Sequence, residues 1–314
     1  MPFRLEPDLT FRDALLSTDR PLAGMWVCSG SPLVAEICAG AGLDWLLIDA
    51  EHSPNGLESV LAQLQAVNGY PVQVLVRPPV NDTVVIKQYL DLGVQNLLLP
   101  MVNSRLDAEA AVAAVRYPPY GVRGVGSALA RASRWNRIPD YLARASDTVS
   151  VTVQIESEAA AAAVEEILAV DGVDAIFLGP SDLAASMGLL GQQEHPTVRA
   201  AVEHCLAAAL TAGKPAGVNA FNEDTVRDYL DSGASFVLVG ADVALLARAS
   251  EKLAATFVTQ VPPEVMPGDE QVIEEPAAEA AVGDRARAEG EEGERAVAGR
   301  TAPAEPPEPT VASY

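Results

Sequence analysis

The sequence predicts a (β/α)8 barrel, an α/β fold, carrying a disordered acidic C-terminal tail. Eight short apolar runs alternate with amphipathic stretches across residues 1–261. The runs are nearly continuous rather than alternating, as strands covered on both faces require. Polar residues able to carry chemistry recur at the carboxyl ends of these runs, about one strand–helix repeat apart, where a parallel barrel gathers its active site. A doubly wound open sheet is the rival fold. It calls for a glycine-rich phosphate turn after the first strand, and CSGSPL there has no G-x-G-x-x-G.

In chain order the candidate strands are GMWVC (24–28), WLLID (45–49), VQVLVR (72–77), NLLLP (96–100), SVTVQIE (150–156), AIFLG (175–179), PAGVN (215–219) and FVLVG (236–240). Helices fit at 31–41, 56–68, 83–92, 105–115, 158–169, 196–212, 222–232 and 241–256. Gly42, Gly69, Gly93, Gly172, Gly213 and Gly233 fall at helix ends, where glycine supplies the left-handed cap. Aromatic residues make up 5% of the chain against 49% hydrophobic residues, so the core is expected to be mostly aliphatic.

A net charge of −22 argues against nucleic acid and anionic membranes as partners. No apolar run reaches the ~18 residues of a membrane span, and the first residues lack an apolar signal core. The expectation is a soluble, cytoplasmic protein. Cys28, Cys38 and Cys205 show no metal-binding spacing and read as reduced core thiols. From Pro262 onward there are 13 acidic residues, 4 arginines and 8 prolines. Such a segment buries too little apolar surface to offset chain entropy. The expected division is a barrel over 1–261 and a disordered tail over 262–314.

The strand ends carry the candidate site. Glu156 closes VQIE and Asp182 lies just past AIFLG, 26 residues later. That spacing sets two carboxylates side by side on neighbouring strands. Two hard oxygen ligands with open positions suit a divalent ion such as Mg or Mn. The competing reading makes Glu156 a helix cap and Asp182 a loop acid. The second strand ends in Asp49, with Glu51 and His52 next. His52 reads as a general base with an orienting acid beside it, or as a surface loop histidine. Arg77 ends the third strand and is followed by two prolines that stiffen the exit. Its guanidinium suits a carboxylate or a developing enolate; the alternative is a salt bridge to a loop acid. Asp91, in KQYLDLG, reads as a solvated helix acid, His195 as a residue at the start of a helix, and His204, mid-helix, as structural or exposed. A lysine Schiff base is disfavoured, because Lys87, Lys214 and Lys252 fall on helices or before a strand.

A long segment, RYPPYGVRGVGSALARASRWNRIPDYLARA, gathers Arg116, Arg123, Arg131, Arg134, Arg137 and Arg144 with Tyr117, Tyr120 and Trp135. It reads as a lid or a subunit contact, some of its arginines meeting anionic substrate, rather than as a nucleic-acid patch.

The stretches WLLIDAEHSPN, VRPPVNDTVVIKQYLDLG, LLLPMV, the arginine-rich segment, VQIES and GPSDLAASMG resemble the HpcH/HpaI class II pyruvate-dependent aldolases. The resemblance covers roughly residues 10–257 and is closer to the enzymes of 4-hydroxy-2-oxoheptanedioate than to the 2-keto-3-deoxy sugar-acid enzymes such as those for L-rhamnonate. It implies a cytoplasmic lyase of aromatic catabolism that cleaves that 4-hydroxy-2-oxo acid to pyruvate and an aldehyde, succinate semialdehyde. It implies a homohexamer with the eighth helix exchanged between subunits. It places a divalent cation (Mg, Mn or Co) on Glu156 and Asp182, the catalytic histidine on His52 and the transition-state arginine on Arg77. It makes Asp91, rather than the adjacent Asp49, the acid that raises the histidine's basicity. Substrate contacts fall on Gln154, Arg77, Asp182 and the backbone at Ser181. A citrate-lyase-like acyl-CoA enzyme is the alternative of another class; it needs a nucleotide-binding surface that the sequence does not display.

Overall fold

The computed structural model describes residues 7–258. The boundary expected at 261/262 and the tail 262–314 lie outside them. Eight parallel strands close into a barrel in sequence order, with the last pairing the first. They are β1 (Leu22–Val27), β2 (Trp45–Asp49), β3 (Gln73–Arg77), β4 (Asn96–Leu99), β5 (Ser150–Ile155), β6 (Ala175–Leu178), β7 (Ala216–Asn219) and β8 (Phe236–Ala241). All eight expected strands are present.

The helices are α1 (Phe11–Leu16), α2 (Pro32–Ala39), α3 (Leu57–Val67), α4 (Thr83–Asp91), α5 (Arg105–Val115), α6 (Tyr141–Arg144), α7 (Glu158–Ala162), α8 (Val164–Leu168), α9 (Pro180–Ser186), α10 (Pro196–Thr211), α11 (Glu223–Asp231) and α12 (Asp242–Phe257). The helix expected over 158–169 breaks into α7 and α8 at Ala163, whose backbone leaves the helical region. The segment α9 was expected only as a motif after the sixth strand. Gly42, Gly93, Gly172, Gly213 and Gly233 adopt positive φ as expected, whereas Gly69 does not. Asn68, the cap of α3, still has helical backbone angles, and the chain leaves this helix without a left-handed residue at Gly69.

Two cores result. The outer one, between sheet and helices, is aliphatic: Val27, Ile48, Val76, Leu97, Val153, Ile176 and Val218 face helix residues such as Ile86, Ala108, Ile167 and Val202. The inner one fills the barrel and is unexpectedly aromatic. Trp45, Phe177 and Phe236 meet there, and Phe11 of α1 plugs the amino end with its ring 5.2 Å from Phe236 and 5.4 Å from Trp45. The plug is held by its Phe11 N–H donating to Asn96 Oδ1 at 2.7 Å. Helix α1 escaped the sequence reading because it is six residues long; its one local signal is the Thr10–Asp13 capping box.

Inward positions alternate along each strand, and two of them must be glycine. A Cβ on Gly24 would lie 2.2 Å from the Trp45 indole, and one on Gly217 would lie 2.2 Å from the Phe236 ring. The large rings occupy the space that these glycines leave.

The arginine-rich segment is not a lid over the strand ends of its own chain. It follows α5 and precedes β5, so it lies at the amino end of the barrel, opposite the expected site. Several of its cations are engaged there. Arg116 pairs with Asp171, Arg131 donates to the Leu92 carbonyl at 2.9 Å, and the fully buried Arg123 pairs with Asp91 at 3.3 Å. A long loop directly after a barrel strand would lie over the mouth, but here α5 intervenes and carries the chain back to the amino end.

Gly24→Ala is expected to destabilise the fold by about 1–3 kcal/mol, the usual cost of an added carbon in a filled core. Urea or thermal unfolding monitored by tryptophan fluorescence measures it; an unchanged midpoint would mean that Trp45 repacks freely.

Candidate active site

The carboxyl ends of the strands form a polar mouth above the aromatic core. On β2 the inward series Trp45, Leu47 continues to Asp49; on β3 Leu75 continues to Arg77. Strand register sets Asp49 directly beside Arg77. Arg77 Nε donates to Asp49 Oδ1 at 2.8 Å, and its guanidinium reaches Glu51 Oε2 at 3.0 Å and Gln154 Oε1 at 3.4 Å. The Trp26 ring lies against it, 4.3 Å from guanidinium carbon to ring centroid. Arg77 is buried, and so is every one of these partners except Glu51, which is half-buried.

Asp49 does more than pair with Arg77. Its carboxylate also accepts the backbone N–H groups of Glu51 and His52, at 3.1 and 3.2 Å, and so shapes the turn that carries the histidine. The His52 side chain is 66% exposed, and its Nε2 lies 3.7 Å from Glu51 Oε2. Of the two flanking acids expected to orient the imidazole, Asp49 holds the backbone and Glu51 stands next to the ring.

Glu156 follows β5 and is buried. Oε1 accepts the Met101 N–H at 2.7 Å, and Oε2 accepts a short bond from Gln154 Nε2. Met101 donates from a left-handed backbone, φ 53°, an uncommon conformation for a side chain of this kind. Burial pushes the Glu156 carboxyl up to about 7; the Met101 hydrogen bond opposes this, and the charges of Glu51 and Asp182 add to it. Glu51 is likewise raised, chiefly by burial, against the pull of Arg77. Asp182 stands in the first turn of α9, with its side chain and that of Ser181 open to solvent.

The mouth therefore brings together His52, Arg77, Gln154, Glu156 and Asp182, with Ser181 beside the last. It does not include Asp91. Helix α4 runs back roughly 13 Å from the strand ends and leaves Asp91 at the amino end, facing Arg123. The expected link from Asp91 to His52 cannot be made within one chain. The reading also missed Trp26, Asn219 and the Met101 amide. Trp26 lies at an inward position two residues before a predicted strand end and Asn219 at one, which is a usable signal. The Met101 amide has none, because only the fold turns a backbone N–H toward Glu156.

The donor set fits a divalent cation. Glu156 and Asp182 are hard oxygen donors, and burial, with the charges of Glu51 and Asp182 added, raises the Glu156 carboxyl in the absence of a cation. Gly179 leaves space beside them: a Cβ there would lie 3.4 Å from Glu156 Oε2 and 3.1 Å from Gln154 Nε2. Among the described residues no three His, Cys, Asp or Glu side chains converge on one point. Two carboxylates that leave room for further oxygen donors suit a divalent cation.

A closed parallel barrel with carboxylates, a guanidinium and an imidazole around its carboxyl-end mouth defines a TIM-barrel enzyme. Residues 22–249 match the family described as HpcH/HpaI aldolase/citrate lyase, and the chain belongs to that family. A hydroxypyruvate/pyruvate aldolase of Deinococcus radiodurans is 54% identical over 257 residues, covering 82% of this chain and 92% of the relative. A 4-hydroxy-2-oxo-heptane-1,7-dioate aldolase of Salmonella dublin is 54% identical over 247 residues, covering 79% and 94%. The crystal structure of an HpcH/HpaI aldolase/citrate lyase family protein from Burkholderia cenocepacia J2315 superposes with a TM-score of 0.76 at 38% identity, covering 79% of this chain and 99% of that one.

Glu156 generates a pH prediction. Its folded-state pKa of about 7 lies above the ordinary 4.5, so between those values the native state holds a proton that the unfolded chain has lost. Native stability therefore falls as pH rises through that window. With divalent cations chelated, Glu156→Gln is expected to be more stable than wild type above pH 7, and the advantage is expected to vanish near pH 4.5. Thermal unfolding across pH measures this; parallel curves for the two proteins would refute it.

Proposed function

We propose that this protein is a metal-dependent pyruvate aldolase that cleaves 4-hydroxy-2-oxoheptanedioate to pyruvate and succinate semialdehyde. The observation that carries the reading is the buried Arg77 fixed by Asp49, Glu51, Gln154 and Trp26 beside Glu156, in a member of a family whose relatives at 54% identity are named as aldolases. Those names also favour an aldolase over a citrate-lyase-like acyl-CoA enzyme.

Glu156 and Asp182 would hold the cation, Mg, Mn or Co, which when bound supplies Lewis-acid stabilisation of the keto acid and its enolate. The remaining work belongs to the protein. Gln154 and the backbone at Ser181 position the pyruvyl half. His52, directly or through water, takes the proton of the C4 hydroxyl. The C4–O bond becomes the aldehyde carbonyl as the C3–C4 bond breaks, and its electron pair passes into the pyruvate enolate. Arg77, held rigid before the reaction, places positive charge where the enolate oxygen develops. Protonation at C3 then yields pyruvate. The lysines sit away from this chemistry: Lys87 on α4, Lys252 on α12, and Lys214 ahead of β7 with its Nζ donating to the Val170 carbonyl.

We further propose a homohexamer that exchanges α12 between subunits. Val243, Leu245 and Leu246 of this helix are exposed, and Asp242 is its one buried residue among those described. Such an assembly offers Asp91 a partner, since the amino end of one barrel has to approach the mouth of another for Asp91 to raise the basicity of His52. A cytoplasmic location fits the acidic surface; among the described residues no helix is long and apolar enough to cross a membrane.

Chelation is expected to abolish pyruvate release from the 4-hydroxy-2-oxo acid, and Mg, Mn or Co to restore it. His52→Ala is expected to lower kcat by roughly 10²–10⁴-fold, and borohydride with pyruvate to trap no lysine adduct. Full activity in thoroughly demetallated protein would sink the mechanism. Mixing subunits of His52→Ala with subunits of Asp91→Asn tests the cross-chain pairing. Reassembled hexamers are expected to recover part of the wild-type rate at sites that receive an intact pair, and recovery no greater than the sum of the two variants would count against it.

A further inference from the structure

Asn219 closes β7 at the mouth. Gly217, two residues earlier, faces into the barrel, since the Phe236 ring fills the place of its side chain. Alternation along the strand therefore turns Asn219 inward at the level of the site. Its Oδ1 accepts the Trp26 indole N–H at 3.0 Å. That indole is buried and has a single polar atom, which requires an acceptor. The bond fixes the ring plane on which Arg77 rests, and it also fixes the amide. With Oδ1 committed to the indole, Nδ2 is left on the other side with two N–H donors. Among the described residues no protein acceptor takes them, and Nδ2 is not one of the buried atoms left without a partner. It is half-buried, oriented and open.

The groups assigned to the pyruvyl half come from β3, β5 and the first turn of α9. Asn219 and Trp26, on β7 and β1, line an arc of the mouth from which none of these groups comes, and this arc is open to the other half of the substrate. We propose that Asn219 is a specificity residue whose Nδ2 donates to an oxygen carried by the aldehyde half of the substrate. The site then selects oxygen-bearing aldehydes over alkyl aldehydes of the same size. A fixed donor discriminates in this way because an alkyl group leaves it unpaired when the substrate displaces water. This inference rests on the aldolase reading above.

The test runs the reaction in the aldol direction, with pyruvate and two matched pairs of acceptors: glycolaldehyde against propanal, and succinate semialdehyde against 4-methylpentanal. The readout is the ratio of kcat/KM within each pair, for wild type, Asn219→Leu and Asn219→Asp. The aspartate variant keeps an acceptor for the Trp26 indole and removes the donor, so it separates substrate recognition from displacement of Trp26 and Arg77. Both variants are expected to lower the preference for the oxygen-bearing member of at least one pair by about 3- to 10-fold, the span of one neutral hydrogen bond. Unchanged ratios in both pairs would overturn the inference while leaving the aldolase reading intact. Loss confined to Asn219→Leu would overturn it too, since the residue would then act only through Trp26. Wild-type protein that adds pyruvate to none of the four aldehydes, with Mg, Mn or Co supplied, would overturn the aldolase reading and this inference with it.

Discussion

The buried ion pair between Asp49 and Arg77 is the constraint on which the mouth depends. Each charge is removed from water and is tolerated because the other sits 2.8 Å away. Removing one partner of such a pair costs about 3–5 kcal/mol, because the survivor stays buried and unpaired. Here the pair also organises its surroundings. Asp49 uses its remaining lone pairs on the turn bearing Glu51 and His52. Arg77 also ion-pairs with Glu51, donates to Gln154 and lays its face on Trp26. Gln154 passes the link to Glu156. One pair thus connects residues of β1, β2, β3 and β5, and no member can shift without disturbing the rest.

Rigidity of this kind matters for an enolate. A flexible arginine would have to reorganise as charge develops, whereas one held on several sides is already in place. Glu156 represents the opposite bargain. Burial and neighbouring carboxylates make its ionised form costly to the fold. That strain is a common property of functional sites, where groups are arranged for a ligand and not for the protein's own stability. Met101 adds to it, holding a left-handed backbone to aim its N–H at the same carboxylate.

The barrel also separates two sets of residues that look equivalent in the sequence. His52, Arg77, Glu156 and Asp182 follow strands and reach the mouth. Asp91 and the arginine-rich segment follow helices and reach the opposite end, where Arg123 is buried against Asp91, Tyr117 and Tyr141. The direction of the preceding element, and not distance along the chain, decides the end on which a residue emerges. Any role for the amino-end residues in chemistry has to be played on another subunit.

Much of this was legible before the structure. The eight strands declared themselves through continuous apolar runs, because a strand covered on both faces excludes polar residues at nearly every position. The spacing of Glu156 and Asp182 placed them together because a strand–helix unit has a nearly constant length. What the tertiary structure alone decided was which groups each side chain meets. Aromatic residues are few, yet they gather inside the barrel because Gly24 and Gly217, distant in sequence, open space for Trp45 and Phe236. Of the two readings of Arg77, the structure shows the salt bridges, to Asp49 and Glu51, and these hold the guanidinium at the mouth. Hydrogen-bond partners such as Asn219 for Trp26, 193 positions away in the chain, leave no local trace. The chain's pattern of apolar and polar residues determines where strands and helices form and which end of a strand bears chemistry. Contacts between residues far apart in the chain exist only once the sheet closes, and they set which charges are paired, which are raised toward neutrality, and which donor is left open for a ligand.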